Sequence, residues 1–307
     1  RKVIGMGETI MDIIFHGEQP TAAVPGGSSF NSIISIGRAG IPAFFVGETG
    51  HDEVGRRIAD FLNATMWMPV SCGCATISSL PCRWLSSMNG TMPLHVLQTT
   101  ATYVEGFIHP TVEADDIVQF GSYYALNPHI RPQVKAFLEY AHGQGAILYY
   151  DLNFRRTYQD RIKELLPAIH ENFRLATVVR GSADDFEVMY GLRDAEEIYH
   201  RHIAPYCPLF SVPAVRKHHA VHPKREFPFS GTTRAHGSTI GAGDNFNAGF
   251  IYGLIRYGIR RTGLPDLSEA QWEHAVTCGI RFAANACASI HNSIDEDFGR
   301  QMSRKMP

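Results

Sequence analysis

Ser238-Thr239-Ile240-Gly241-Ala242-Gly243-Asp244-Asn245-Phe246-Asn247-Ala248-Gly249-Phe250 is a turn of small residues that runs directly into an apolar helical pattern reaching about Tyr257. Small side chains let a backbone approach an anion closely, and the first turn of a helix offers unpaired N–H donors and the positive end of its dipole. The segment therefore suits a phosphate, or the charge that develops on one during transfer. It is not a Walker A loop, because no Gly-Lys-Ser/Thr follows the glycines. Asp244 has two readings on local chemistry: a cap for the helix, or a base that takes a proton from a hydroxyl attacking beside the anion hole.

Outward from this turn, strand-like and helical stretches alternate. Residues 2–6, 41–46, 116–120, 146–150 and 176–179 read as short buried strands. Between and after them, helical spacing runs over 30–38, 52–62, 131–143, 161–173, 183–190 and 269–290. Such alternation predicts a parallel sheet covered by helices. Two windows break it, 64–102 and 207–236, where Pro, Cys, Ser, His and Arg accumulate without period. Loops longer than about 15 residues are uncommon in compact domains, so these windows are distorted flaps or stretches altered as a compensated reading-frame shift would alter them.

At 307 residues the chain has room for one large α/β domain or two ordinary ones. With 44% hydrophobic residues, 19% charged and a net charge of -2, it fits neither a disordered chain nor a basic nucleic-acid binder. No apolar run approaches the roughly 18 residues of a membrane span, and the N-terminal stretch is too short and too acidic for a signal peptide. The expectation is a soluble, cytoplasmic protein with no nucleic-acid or membrane partner. Its 6 cysteines lack paired CxxC spacing and read as reduced thiols.

Several polar residues sit where an apolar run or a strand end calls for a reason. Asp12 interrupts Met11-Asp12-Ile13-Ile14-Phe15, where its plain reading is an edge charge. Asn31 follows Gly26-Gly27 and opens a helix, so it caps that helix or faces a ligand. Asp151-Leu152-Asn153-Phe154-Arg155 follows a strand, where open α/β sheets bind ligands. Ser182 and Asp185 have the spacing of a capping box. Asn285 lies among alanines of the last helix.

Gly241-Ala242-Gly243-Asp244 with its helix resembles the C-terminal signature of the ribokinase-like, or PfkB-type, carbohydrate kinases, although that family often begins the motif with aspartate where Ser238 stands. Gly26, Gly27, Asn31, Gly40 and Gly50 resemble its N-terminal signature, in the right order about two hundred residues upstream. Gly7-Glu8-Thr9 with Asp12 is nearest the fructokinase and 2-keto-3-deoxygluconate kinase branches. The resemblance implies a three-layer α/β/α fold over 1–307 with a mostly parallel sheet, and a small β lid drawn from about 13–25 and 75–108. It implies ATP-dependent phosphorylation of a sugar's primary hydroxyl, with Asp244 as base and Gly241, Ala242 and Gly243 as anion hole. Asp12, Gly26, Gly27, Asn31, Asp151, Asn153 and Arg155 would line the sugar side. Thr239, Ser182, Asp185 and Asn285 would border ATP, with Asp185 reaching Mg2+ through water. A monovalent cation requirement and a homodimer through the lid are left open. A nucleoside kinase and a weakly active or inactive sugar-binding relative are the alternatives, the second because the family's Thr-x-Gly-x-x-Gly turn is missing between Cys207 and His236.

Overall fold

The computed structural model describes residues 1–16, 18–50, 52–65, 72–77, 82–87, 94–97, 109–213, 218–222, 225–229, 241–288 and 291–306. Much of the two irregular windows, the turn sought before the glycine loop and residues Ser238 and Thr239 lie outside the described residues.

In chain order the strands are β1 (Val3–Glu8), β2 (Ile10–His16), β3 (Gln19–Gly26), β4 (Ala43–Gly50), β5 (Cys72–Ile77), β6 (Cys82–Ser87), β7 (Leu94–Leu97), β8 (Ile117–Gly121), β9 (Ile147–Asp151), β10 (Val178–Arg180), β11 (Phe210–Pro213), β12 (His218–His222) and β13 (Arg225–Phe229). The helices are α1 (Ser28–Arg38), α2 (Glu53–Thr65), α3 (Arg131–Gly143), α4 (Ile162–Leu175), α5 (Ala183–Tyr190), α6 (Ala195–Ile198), α7 (Ala242–Arg256), α8 (Glu269–Cys287) and α9 (Glu296–Ser303).

One sheet has the order β13-β12-β11-β10-β9-β8-β1-β4-β5. Every neighbouring pair from β11 to β5 is parallel, while β12 and β13 run antiparallel at the edge. The apolar runs that read as strands are continuous because both faces of this sheet are covered. Val3, Ile117, Ile147, Tyr149 and Val178 face one core with α1, α2, α7, α8 and α9. Their neighbours Ile4, Val118, Leu148, Tyr150 and Val179 face the other, with α3, α4, α5 and α6. The fold class is thus the three-layer α/β/α arrangement expected. Among the described residues no helix is long and apolar enough to cross a membrane.

A second sheet, β3-β2-β6-β7, stands apart from the first and carries Asp12 on β2, opposite Val24 of β3. It begins earlier than the sequence suggested, at Ile10 rather than 13. Residues 75–77, expected with it, pair instead with β4 in the large sheet.

The carboxyl ends of β1 and β4 bring Glu8 and Glu48 into register as neighbours. Burial and the Glu8 charge push Glu48 up to about 7. A carboxyl group that holds its proton more tightly folded than unfolded loses stability as pH rises from its ordinary value to its folded one. Melting temperatures of the unmodified protein and Glu48→Gln should therefore diverge between about pH 4.5 and 7 in favour of the glutamine variant, and the gap should stay level above pH 7. Parallel melting curves across this range would show that Glu48 is not held protonated.

Candidate active site

The glycine turn enters α7 with Gly241 at φ 72, a left-handed conformation that L side chains rarely adopt. Asp244 does not cap the helix: no side chain accepts at that end. Its carboxylate faces α1 instead. The Ser28 hydroxyl donates to Oδ1 at 2.7 Å and Asn31 Nδ2 donates to Oδ2 at 2.8 Å. Ser32 Oγ donates to the Asp244 carbonyl at 2.6 Å and fixes its backbone. The two glycine motifs, far apart in sequence, thus meet at one carboxylate. Burial pushes Asp244 above the ordinary range of an aspartate, against the hydrogen bonds from Asn31 and Ser28; the Asp151 charge adds to the rise and Arg155 opposes it. Each carboxylate oxygen has a second lone pair, so a third donor such as a substrate hydroxyl has an acceptor here.

Asn31 sits one turn inside α1, whose cap position is Gly27, so its role is the contact with Asp244 and not the cap. Gly27 itself has φ 134, and a Cβ there would lie 2.3 Å from the Glu8 carbonyl oxygen. Gly26 packs on Asp12: a Cβ would fall 2.4 Å from its Oδ2. Asp12 is buried and accepts from Asn292 Nδ2 at 2.7 Å. Asn292 is held in turn by its carbonyl, which accepts from Asn245 Nδ2 at 2.9 Å. Asp12 on the small sheet is therefore tied through one asparagine to the residue beside Asp244.

At the end of β9 the Asp151 carboxylate accepts on both oxygens. Arg180 Nη1 donates to Oδ1 at 2.8 Å and Asn247 Nδ2 to Oδ2 at 2.7 Å. Tyr149 OH donates to Asn247 Oδ1 at 3.0 Å, closing a buried polar chain under α7. Asn153 turns out of the strand at φ 40 and donates from Nδ2 to Ser122 Oγ at 2.8 Å. Arg155 is exposed beyond it.

Ser182 and Asp185 form the capping box of α5: Asp185 N donates to Ser182 Oγ at 3.1 Å, and Ser182 N to Asp185 Oδ2 at 2.6 Å. Burial raises Asp185 to about 6, against the Ser182 hydrogen bonds and the Arg180 charge. Its Oδ1 lies outside the cap. Asn285 is engaged elsewhere, donating to Asp295 Oδ2 at 2.5 Å and accepting from Asp295 N at 2.8 Å, and so joins α8 to the start of α9.

Four contributors were not singled out by the sequence: Ser28, Arg180, Asn247 and Asn292. Ser28 lies within the Gly-Gly motif and Asn247 one turn past Asp244, so their neighbourhood was a signal. An arginine ending an apolar strand, as Arg180 does, was a signal of the same kind as Asp12. Asn292 follows the last predicted helix and had none.

The profile described as "pfkB family carbohydrate kinase" matches residues 97–294. The chain belongs to this family. Among curated family relatives, a 5-dehydro-2-deoxygluconokinase of Geobacillus thermodenitrificans (strain NG80-2) is 23% identical over 287 residues, spanning 88% of this chain and 82% of that one. A fructokinase from Vibrio cholerae O395, solved with fructose, ADP and calcium ion bound, superposes with a TM-score of 0.80 at 19% identity over 100% of this chain and 99% of that one. An aminoimidazole riboside kinase from Salmonella enterica, solved with aminoimidazole riboside and an ATP analog, gives a TM-score of 0.76 at 17% identity, with 100% of both chains covered. These likenesses establish the ribokinase-like fold, and the family match makes the chain a carbohydrate kinase.

Proposed function

We propose that this kinase transfers the γ-phosphoryl group of ATP to the primary hydroxyl of a keto sugar or a deoxy keto sugar acid, with Asp244 as the base. The observation that carries the reading is the placement of the Asp244 carboxylate at the mouth of the Gly241–Gly243 turn, held by Ser28 and Asn31 from the other glycine motif. A carboxyl group raised toward neutrality accepts a proton more readily than an ordinary aspartate does. The substrate class is supported by the 5-dehydro-2-deoxygluconokinase relatives. A gluconate derivative carries one primary hydroxyl, at the end opposite its carboxylate, and Arg155 offers an exposed cation for an acidic group.

The glycine turn suits a phosphoryl group, because its small residues let an anion approach the N–H groups at the start of α7, and Gly243 lies against the Arg180 guanidinium, a Cβ there falling 3.1 Å from Nη2. Magnesium bound with the nucleotide would neutralise phosphate charge, and Asp185 would meet its hydration shell. Ser28 and Asn31 orient the base, and Asp12 holds sugar hydroxyls on the opposite side.

ADP release measured over fructose, 2-keto-3-deoxygluconate, 5-dehydro-2-deoxygluconate, other hexoses and nucleosides tests the proposal. Turnover with a keto sugar or keto acid is expected. Preference for a nucleoside, or sugar binding without turnover, would overturn it. In the same assay Asp12→Ala should raise the Michaelis constant for the sugar far more than that for ATP, by roughly ten- to 150-fold, the loss of one charged hydrogen-bond partner. An unchanged sugar constant would place Asp12 outside the binding site.

A further inference from the structure

Arg180 is the last residue of β10 and its side chain is 8% exposed. Its Nη1 is bound to Asp151, its Nε has no partner among the described residues, and its Nη2 lies on the side of Gly243, 3.1 Å from where a Cβ would stand. A buried guanidinium thus turns a free edge toward Gly243, in the first turn of α7 and beside the glycine turn. Burial by itself would lower its affinity for a proton, but the carboxylate of Asp151 outweighs this and holds Arg180 charged.

Resting on the kinase reading above, we propose that Arg180 is a further catalytic residue, donating from its free edge to an oxygen of the phosphoryl group in flight. In the transfer, the sugar oxygen forms a bond to the γ-phosphorus and the bond from that phosphorus to the bridging oxygen of ATP breaks. ADP leaves with the electron pair, and the hydroxyl proton passes to Asp244. In flight the phosphoryl group spreads its charge over three equatorial oxygens, and a fixed, desolvated arginine meets one of them without reorganising. Asp151 and Asn247 then act as positioning residues: they hold the guanidinium so that no reorganisation is needed during the reaction. A Cβ at 243 would crowd Nη2 at 3.1 Å and push the guanidinium aside.

Arg180→Lys keeps a charge opposite Asp151 and loses the planar fork. In this variant kcat should fall about 10²–10³-fold, with the Michaelis constant of the sugar and the affinity for ADP essentially unchanged. The added tightening of ADP binding by aluminium fluoride in the presence of sugar and Mg2+ should be lost, which a purely structural role would not produce. As a measurement free of mutation, aluminium fluoride added to the unmodified protein with ADP, Mg2+ and sugar should shift one buried arginine side-chain resonance of 15N-labelled protein. Unchanged kcat and unchanged fluoride binding in the variant, or no arginine shift in the unmodified protein while ADP and aluminium fluoride bind, would reduce Arg180 to the counter-ion of Asp151. Absence of turnover and of fluoride-dependent binding in the unmodified protein would instead overturn the kinase reading itself, and this inference with it.

Discussion

Asp244→Asn is expected to lower kcat by about 10²–10⁴-fold, the usual cost of removing a general base, while the Michaelis constant for the sugar stays close to that of the unmodified enzyme. The amide keeps the shape of the carboxylate. Its oxygen can still accept from Asn31 Nδ2, and its NH2 can donate to Ser28, whose hydroxyl can turn from donor to acceptor. The Ser32 contact to the backbone carbonyl is untouched. What is lost is the ability to take a proton. In the unmodified enzyme, kcat/KM should fall as pH drops through a value above the ordinary aspartate range, because burial raises this carboxyl group and only its ionised form is a base. Retention of unmodified turnover by Asp244→Asn would remove the residue from the chemistry.

Asp151→Ala should act on stability instead, and strongly. Arg180 would keep its charge in a buried site with no carboxylate opposite, and Asn247 would lose an acceptor. Breaking a buried pair by removing one partner costs about 3–5 kcal/mol, against a total stability of roughly 5–15 kcal/mol for a native protein. Thermal melts should drop by roughly 5–8 °C. Asp151→Ala combined with Arg180→Met should recover part of that loss, since the uncompensated charge is gone, yet remain poorly active. A single variant that melts with the unmodified protein would show that the pair is not buried as described.

The large sheet was legible in the sequence wherever a strand is covered on both faces. Val3-Ile4, Ile147-Leu148-Tyr149-Tyr150 and Val178-Val179 send alternate side chains into two cores, so nothing polar interrupts them. α3 and α5 fall on the boundaries expected, the first with Pro132 in its opening turn and the second ended by Gly191 in the left-handed conformation. α9 was missed: it has two turns and few apolar residues, and the start signal of Asp295 accepting from Phe298 N is too short-range to stand out.

The site was legible as two motifs but not as a geometry. That Asn31 meets Asp244, rather than capping its own helix, depends on how α1 and α7 pack, a distance no local pattern encodes. The same holds for Asn292, which reaches Asp12 across 280 positions. Ser182 and Asp185 carried one signal with two meanings, of which the structure shows the capping box. Asp151, expected on the sugar side, has both oxygens occupied by Arg180 and Asn247, an arrangement visible only once β9, β10 and α7 are side by side.

Phosphorus NMR of a reaction containing the unmodified protein, ATP, Mg2+ and the best keto sugar of the panel tests the central claim most directly. A new phosphomonoester signal split into a triplet by the two protons of a CH2 group is expected, growing as ADP appears, and absent on the same timescale with Asp244→Asn. A signal coupled to a single proton, no phosphomonoester at all, or equal rates with and without the Asp244 carboxylate would contradict it.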